Sequence, residues 1–320
     1  MRGLALAAVL VSLIAPPATA DTWPSRPIRL IVPSPPSGSG DTIGRLVAQK
    51  LGETLGQQFV VENRPGAGGL VGAETAARAA PDGYTLIISG IATHVVIPAL
   101  NPNTAFDPLK DFTHIALFGG PPAVLAVSRE LPVGDLGAFV ALARSKPADI
   151  SYGSPGIGTH SHLIVELFQQ RTGSTLTHVP YRGAGPALAD LVAGRLPAAS
   201  MTLLSAAEHI KAGTIRALAV TAPRRVASFP EIPTYAELGY RELTAATWFA
   251  LSGPASLPPD IVRRLNTEAN RAIQSAEVRQ RLERDGIEPE EMSPEAFTAF
   301  VKAEIERWTP VVRASGAKAN

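Results

Sequence analysis

The chain contains no cysteine. That absence removes disulfides, thiol nucleophiles, thiolate metal sites and attachment of lipid through an N-terminal cysteine. Long hydrophobic runs are also missing: past the first residues, every apolar stretch is interrupted by a charge, Gly or Pro well before the ~20 residues that a membrane span requires. Charge of one sign is equally scarce, with 29 basic against 28 acidic residues and no basic tract, so nucleic acids and anionic membrane surfaces are not expected partners. The sequence lacks a G-x-S-x-G elbow, an H-E-x-x-H pair and a G-K-S/T phosphate loop. Nothing in it asks for an enzyme.

What is present begins with an export signal. Arg2 precedes an unbroken apolar run from Gly3 to Ile14, then Pro16, Pro17 and the small residues Ala18-Thr19-Ala20, a pattern that predicts cleavage after Ala20. An uncleaved anchor is the alternative, disfavoured because helix-breaking prolines arrive before any stop-transfer charge. Removing residues 1–20 takes away Arg2 alone among charged residues and leaves a formally neutral chain of about 300 residues. That length is more than one core usually serves, so two lobes are expected. The 28 glycines and 29 prolines fall between periodic segments as punctuation, which indicates many short loops.

The pattern from Ile28 onward is strand, loop, helix, strand. Ile28–Val32 reads as a strand, Thr42–Thr54 as a helix with Ile43, Val47, Leu51 and Leu55 on one face, Phe59–Val61 and Thr85–Ile88 as further strands. The alternation restarts after Gly119-Gly120-Pro121-Pro122, with strands near Val124–Val127, Ile150–Tyr152 and Thr177–Val179 between helices. Such order predicts parallel sheets with right-handed crossovers. Trp248–Leu251 reads as an apolar turn before helices at Asp260–Gln274 and Ala276–Arg284 and a last one opened by Ser293 and Pro294. These closing helices have no sheet of their own and are expected to return to the first lobe. The expected division is residues 1–20 signal, 21–120 plus 246–320 lobe 1, and 121–245 lobe 2.

Two loops share one design. Pro33-Ser34-Pro35-Pro36-Ser37-Gly38-Ser39-Gly40-Asp41 and Tyr152-Gly153-Ser154-Pro155-Gly156-Ile157-Gly158-Thr159-His160 each run from a strand end through small residues into a helix start. Glycines allow close approach of backbone N–H groups, the helix start supplies partial positive charge, and hydroxyls add hydrogen bonds, so the pair is suited to a carboxylate without Lys or Arg. The plainer reading makes Asp41 and Thr159 ordinary caps. Recurrence in both lobes, at the carboxyl ends of strands, favours a ligand site. Gly66-Ala67-Gly68-Gly69 with Gly72 looks like a dinucleotide fingerprint but no acidic residue ends the next strand, so close packing is expected and no cofactor. His160 and His162, two apart at a helix start, make a poor chelate, and no metal is expected. His94 follows the strand end Ser89-Gly90, where it either touches ligand or is buried; His114, His178 and His209 read as structural.

More specific residues follow. The loop VPSPPSGSGD, the runs VVENRPGAGG and PDGYTL, the segments HVPYRGAGPALADLVAGR and IKAGTIRALAV, and FPEIPTYAELGY and WFALSGPASLP, in this order, resemble the receptors of tripartite tricarboxylate transporters, the Bug family. The resemblance spans essentially all of the chain after the signal. It implies an α/β, two-lobed periplasmic binding protein of type II-like fold with its ligand cleft between the lobes, a monomer that delivers a small organic carboxylate to a large and a small membrane subunit. In such receptors the carboxylate is held by main-chain groups of the first loop, here Ser34 to Asp41, and of the second, here Ser154 to His160. The first loop departs from the family pattern through Ser34, Ser37 and Ser39, and Met201-Thr202 lies where relatives carry acids, so ligand identity does not transfer.

The candidate contacts are Ser34, Pro35, Ser37, Gly38, Ser39, Gly40 and Asp41; Ser89, Thr93 and His94; Ser154, Gly156, Gly158, Thr159 and His160; and Tyr181, Gly183, Met201, Thr202 and Trp248. Rival readings are a ligand-loaded adaptor for a membrane sensor kinase and an exported enzyme on the same architecture. The enzymes of that architecture that anchor a cofactor on cysteine are excluded by composition.

Overall fold

The computed structural model describes residues 23–36, 39–284, 287 and 289–316; the expected signal, Ser37 and Gly38 lie outside them. The first sheet is built from β1 (Ile28–Val32), α1 (Ser39–Leu55), β2 (Phe59–Asn63), α2 (Leu70–Ala77), β3 (Thr85–Gly90), a π-type turn at Ala92–Val96 that continues into α3 (Ile97–Leu100), and β4 (Phe112–Gly119). The chain then forms β5 (Ala123–Ser128), α4 (Leu136–Ser145), β6 (Ser151–Ser154), α5 (His160–Thr172), β7 (Thr177–Pro180), α6 (Ala184–Val192), β8 (Ala198–Thr202), α7 (Leu203–Lys211) and β9 (Ile215–Val220). It returns through β10 (Phe249–Pro254) to α8 (Pro259–Gln274), α9 (Ala276–Arg284) and α10 (Pro294–Ala314).

Local signals set the helix ends. Asp135 caps α4 by accepting from Ala138 N–H, Ser293 caps α10 by accepting from Ala296 N–H with Pro294 behind it, and Gly173 closes α5 in the left-handed region at φ 62°. Along α1, Ile43, Val47, Leu51 and Leu55 are buried against the first sheet, where they join Leu30, Val32 and Leu265 in one core.

The strands form two five-stranded sheets, ordered β2-β1-β3-β10-β4 and β7-β6-β8-β5-β9. Both are mixed rather than parallel as expected: β10 runs antiparallel to β3 and β4, and β5 antiparallel to β8 and β9. Trp248–Leu251 is accordingly no turn, because Phe249–Pro254 is a strand between β3 and β4. Two strands, β4 and β8, escape the periodicity argument. β4 has almost no exposed position, and β8 reads Ala-Ala-Ser-Met-Thr with its first four residues buried, so neither shows the alternation of a half-buried strand.

The chain passes between the sheets in two neighbouring segments. Pro122 forms an isolated antiparallel bridge with Ala246, and Thr247 N–H donates to the Pro121 carbonyl at 3.3 Å. The last helix joins both sides: Phe297, Val301, Trp308 and Val312 share a core with Leu117 and Ala250 of the first sheet and with Leu125 and Leu163 of the second part of the chain.

Candidate ligand-binding site

Junctions that follow β1, β3, β6 and β8 converge on a cavity of about 250 Å³, so both sheets contribute to it. Of the residues singled out by sequence, Ser34 and Gly40 reach it from the first loop, Ser89 and Thr93 from the end of β3, Gly158, Thr159 and His160 from the second loop, and Thr202 and Trp248 complete it. Sequence reasoning missed Pro33, Gly68, Ala92, Ser161, Thr247 and Phe249, which also line it. Phe249 comes with the misread strand: its ring lies 3.2 Å from where a Cβ at Gly40 would stand, so a side chain there would press on it and glycine eases the close start of α1 beside β10.

The first loop is held from outside the cavity. Asn63 at the end of β2 donates to the Ser34 carbonyl at 3.0 Å and to Asp41 Oδ1 at 2.8 Å, while Arg45 Nε pairs with Asp41 Oδ2 at 3.0 Å. Asp41 is buried in the first turn of α1, which starts at Ser39, ties the loop to Asn63 and Arg45, and does not line the cavity. Pro35 and Ser39 likewise fall outside the lining. Ser34 Oγ is buried and has no hydrogen-bond partner.

The second loop rests on a buried polar cluster. Gly158 N–H donates to His162 Nδ1 at 3.1 Å, which makes Nε2 the protonated nitrogen and turns it toward Glu166 at 3.6 Å. Tyr152 OH donates to Glu166 Oε1 at 2.7 Å, and the His162 and His178 rings stack with centroids 4.1 Å apart. Ser154 Oγ contacts His178 Nε2 at 2.8 Å and accepts from Gly156 N–H at 3.2 Å. Burial pushes His162 and His178 each down to about 4, so both are neutral at pH 7. The backbone donors of Gly156 and Gly158, expected to face an anion, are thus spent within the protein, and Ser154 and Gly156 do not line the cavity.

What remains open is the start of α5. Thr159 is its cap and accepts from His162 N–H, whereas the amides of His160 and Ser161, in the first turn, find no carbonyl in the helix. His160 is 3% exposed, both ring nitrogens lack a partner, and its ring meets Trp308 edge to face at 5.7 Å. Burial, aided by Arg307, lowers its pKa to about 3, so the ring is neutral, and the residue contributes to the cavity lining.

His94 goes the other way. Its Nδ1 meets Thr93 Oγ1 at 3.1 Å and its ring packs against Phe112 and His114, fully buried and outside the lining, which settles the choice left open for it in favour of burial. Tyr181 donates to Asp190 and Met201 is buried in the core of the second sheet; neither they nor Gly183 line the cavity. Gly69 and Gly72 of the glycine-rich run lie against Pro33, where added Cβ atoms would stand 3.0 Å from its carbonyl and 2.8 Å from its Cβ. Trp248 is fixed from behind, its indole N–H and that of Trp308 both donating to Glu304 Oε2 at 3.1 Å. Among the described residues of the lining, none but neutral His160 is ionisable in the range of physiological pH.

Among the described residues no helix is long and apolar enough to cross a membrane. The chain is 40% identical to BugT of Bordetella pertussis over 306 residues, which cover 95% of this chain and 94% of BugT. A solved periplasmic transporter is 39% identical and superposes with a TM-score of 0.81 over 93% of this chain and 100% of its own. R. palustris Rpa4515, solved with adipate, is 35% identical with a TM-score of 0.81 over 92% and 99% of the two chains; MatC from Rhodopseudomonas palustris, solved with bound malate, is 34% identical with a TM-score of 0.77 over 91% and 100%. The family model described as tripartite tricarboxylate transporter family receptor matches residues 43–317. With that match across most of its length and relatives of this identity, the chain belongs to the tripartite tricarboxylate transporter receptor family.

Proposed function

We propose that this receptor works in the periplasm, after removal of residues 1–20, and captures a small organic carboxylate between lobes formed by residues 21–120 plus 246–320 and by residues 121–245. The observation that carries this reading is the cavity's donor set. The first-turn amides of α5, at His160 and Ser161, adjoin a space that has no charged side chain among the described residues, while the hydroxyls of Ser89, Thr159 and Thr202 are engaged with Ser252, Gly156 and Ser205 and position the surrounding loops. Donors held at a helix start bind an anion without a counter-charge, and their dipoles are fixed before the ligand arrives. The solved relatives with adipate and malate support the ligand class. Because both sheets supply lining, ligand contacts differ between open and closed arrangements, and binding shifts the population toward the closed one. The closed form is what the membrane subunits receive.

The test is titration calorimetry with matched pairs chosen after a thermal-shift screen of carboxylates, such as succinate against aspartate and hexanoate against 2-aminohexanoate. An ammonium group would be buried without an acid to meet it, at a cost of several kcal/mol. The plain acid should bind at least tenfold more tightly, about 1.4 kcal/mol. Equal or better binding of the amino acids would refute the reading.

A further inference from the structure

A second cavity, of about 640 Å³, adjoins the first. The two share Gly68, Ala92, Gly158 and Thr159, so the boundary where they adjoin, a neck for any ligand that spans both, is made of small residues. Beyond the neck the wall is apolar, with Leu70, Val96, Ile97, Leu100 and Ile157; among the described residues Asn101 is the one further polar residue there and no side chain is charged. Ile157 is 43% exposed on this wall, an aliphatic side chain left in solvent beside a polar anion loop. The backbone donors here are also engaged, Leu70 N–H and Asn101 N–H with the carbonyls of Ala67 and Ile97, and Gly69 N–H with that of Gly66.

The inner cavity alone is smaller than the ~300–1,000 Å³ typical of small-molecule sites, and the two together fall within that range. The inner space fits a carboxylate head; the outer one fits hydrocarbon. Resting on the carboxylate reading, we infer that the outer cavity is an apolar annex for the body of the ligand, and that this receptor selects monocarboxylates with an extended apolar chain or ring over dicarboxylates and tricarboxylates. A second carboxylate would have to leave water for a mostly aliphatic wall that offers it no cation among the described residues and one side-chain donor, the Asn101 amide. A methylene there gains the ordinary transfer energy, equivalent to about fourfold in affinity for each one buried.

The experiment measures dissociation constants of the full receptor for acetate, butanoate and hexanoate against succinate and adipate, for the wild type and for Leu100→Asn and Ile157→Asn. The wild type should bind more tightly by at least tenfold from butanoate to hexanoate, and hexanoate at least tenfold more tightly than adipate. Each variant should lower the hexanoate-to-acetate affinity ratio at least threefold; exposed Ile157 serves as the variant whose folding is not at stake. Adipate binding as well as hexanoate, or a flat chain-length series, overturns the annex while leaving a carboxylate receptor. If Ile157→Asn changes the oligomeric state in gel filtration and not the ratio, the wall is a contact between copies and the annex is again overturned. Failure of every acid to bind refutes the carboxylate reading and this one with it.

Discussion

Gly120→Ala places one methyl group where the two crossing segments touch. A Cβ at Gly120 would stand 1.3 Å from the Thr247 carbonyl oxygen, and the nearest atoms are all backbone, so no side chain is able to turn aside. Restoring even a tight 3.0 Å contact requires the segments to separate by about 1.7 Å. That displacement pulls on the 3.3 Å bond from Thr247 N–H to Pro121 and on the bridge between Pro122 and Ala246. Overpacking of this kind costs about 1–3 kcal/mol, and loss of one hydrogen bond about 0.5–1.5 kcal/mol, for an expected destabilisation of about 2–4 kcal/mol. Urea denaturation followed by circular dichroism reads it as a lower midpoint. Gly185→Ala is the matched control, because a Cβ there meets nothing within 4 Å and should be neutral or slightly stabilising. A Gly120→Ala midpoint within 0.5 kcal/mol of wild type, an order-of-magnitude allowance for surface changes, would refute the argument from steric contact.

Acid should destabilise the fold through its buried neutral histidines. Burial holds His160 at about 3 and His114 at about 4 against an unfolded value near 6.5, so below pH 6.5 the unfolded chain takes up protons that the native one refuses. This penalty is absent above pH 6.5 and complete only below the folded values; His160 alone contributes on the order of 2 kcal/mol by pH 5, and His160→Gln should flatten the stability slope between pH 7 and 5 in urea titrations, an unchanged slope counting against it. His162→Phe removes the acceptor of Gly158 N–H and should cost about 1–3 kcal/mol in the same assay, with weaker carboxylate binding measured by calorimetry. Mass spectrometry of exported protein should find Asp21 as the first residue, and an intact Met1 on membrane-bound protein would contradict processing at Ala18-Thr19-Ala20.

Sequence by itself determined the alternation of strands and helices, the starts of α5 and α10, and the two loops that run from strand ends into helix starts. Each rests on interactions within a few residues, such as Thr159 accepting from His162 N–H or Ser293 from Ala296 N–H, and a local pattern records them. Tertiary structure decided the rest. β10 sits between β3 and β4 because a partner far along the chain pairs with it, and a strand covered on both faces has no alternation to read. The same distance separates loop chemistry from loop sequence: Asp41 is taken by Asn63, 22 residues away, and Ser154 Oγ by His178, 24 residues away. His94 and His160 both follow strand ends and both are buried, yet one packs its ring against Phe112 outside the cavity and the other, its ring against Trp308, belongs to the cavity lining. Which way a side chain turns depends on what the folded chain packs behind it, and those packing partners lie far away in sequence.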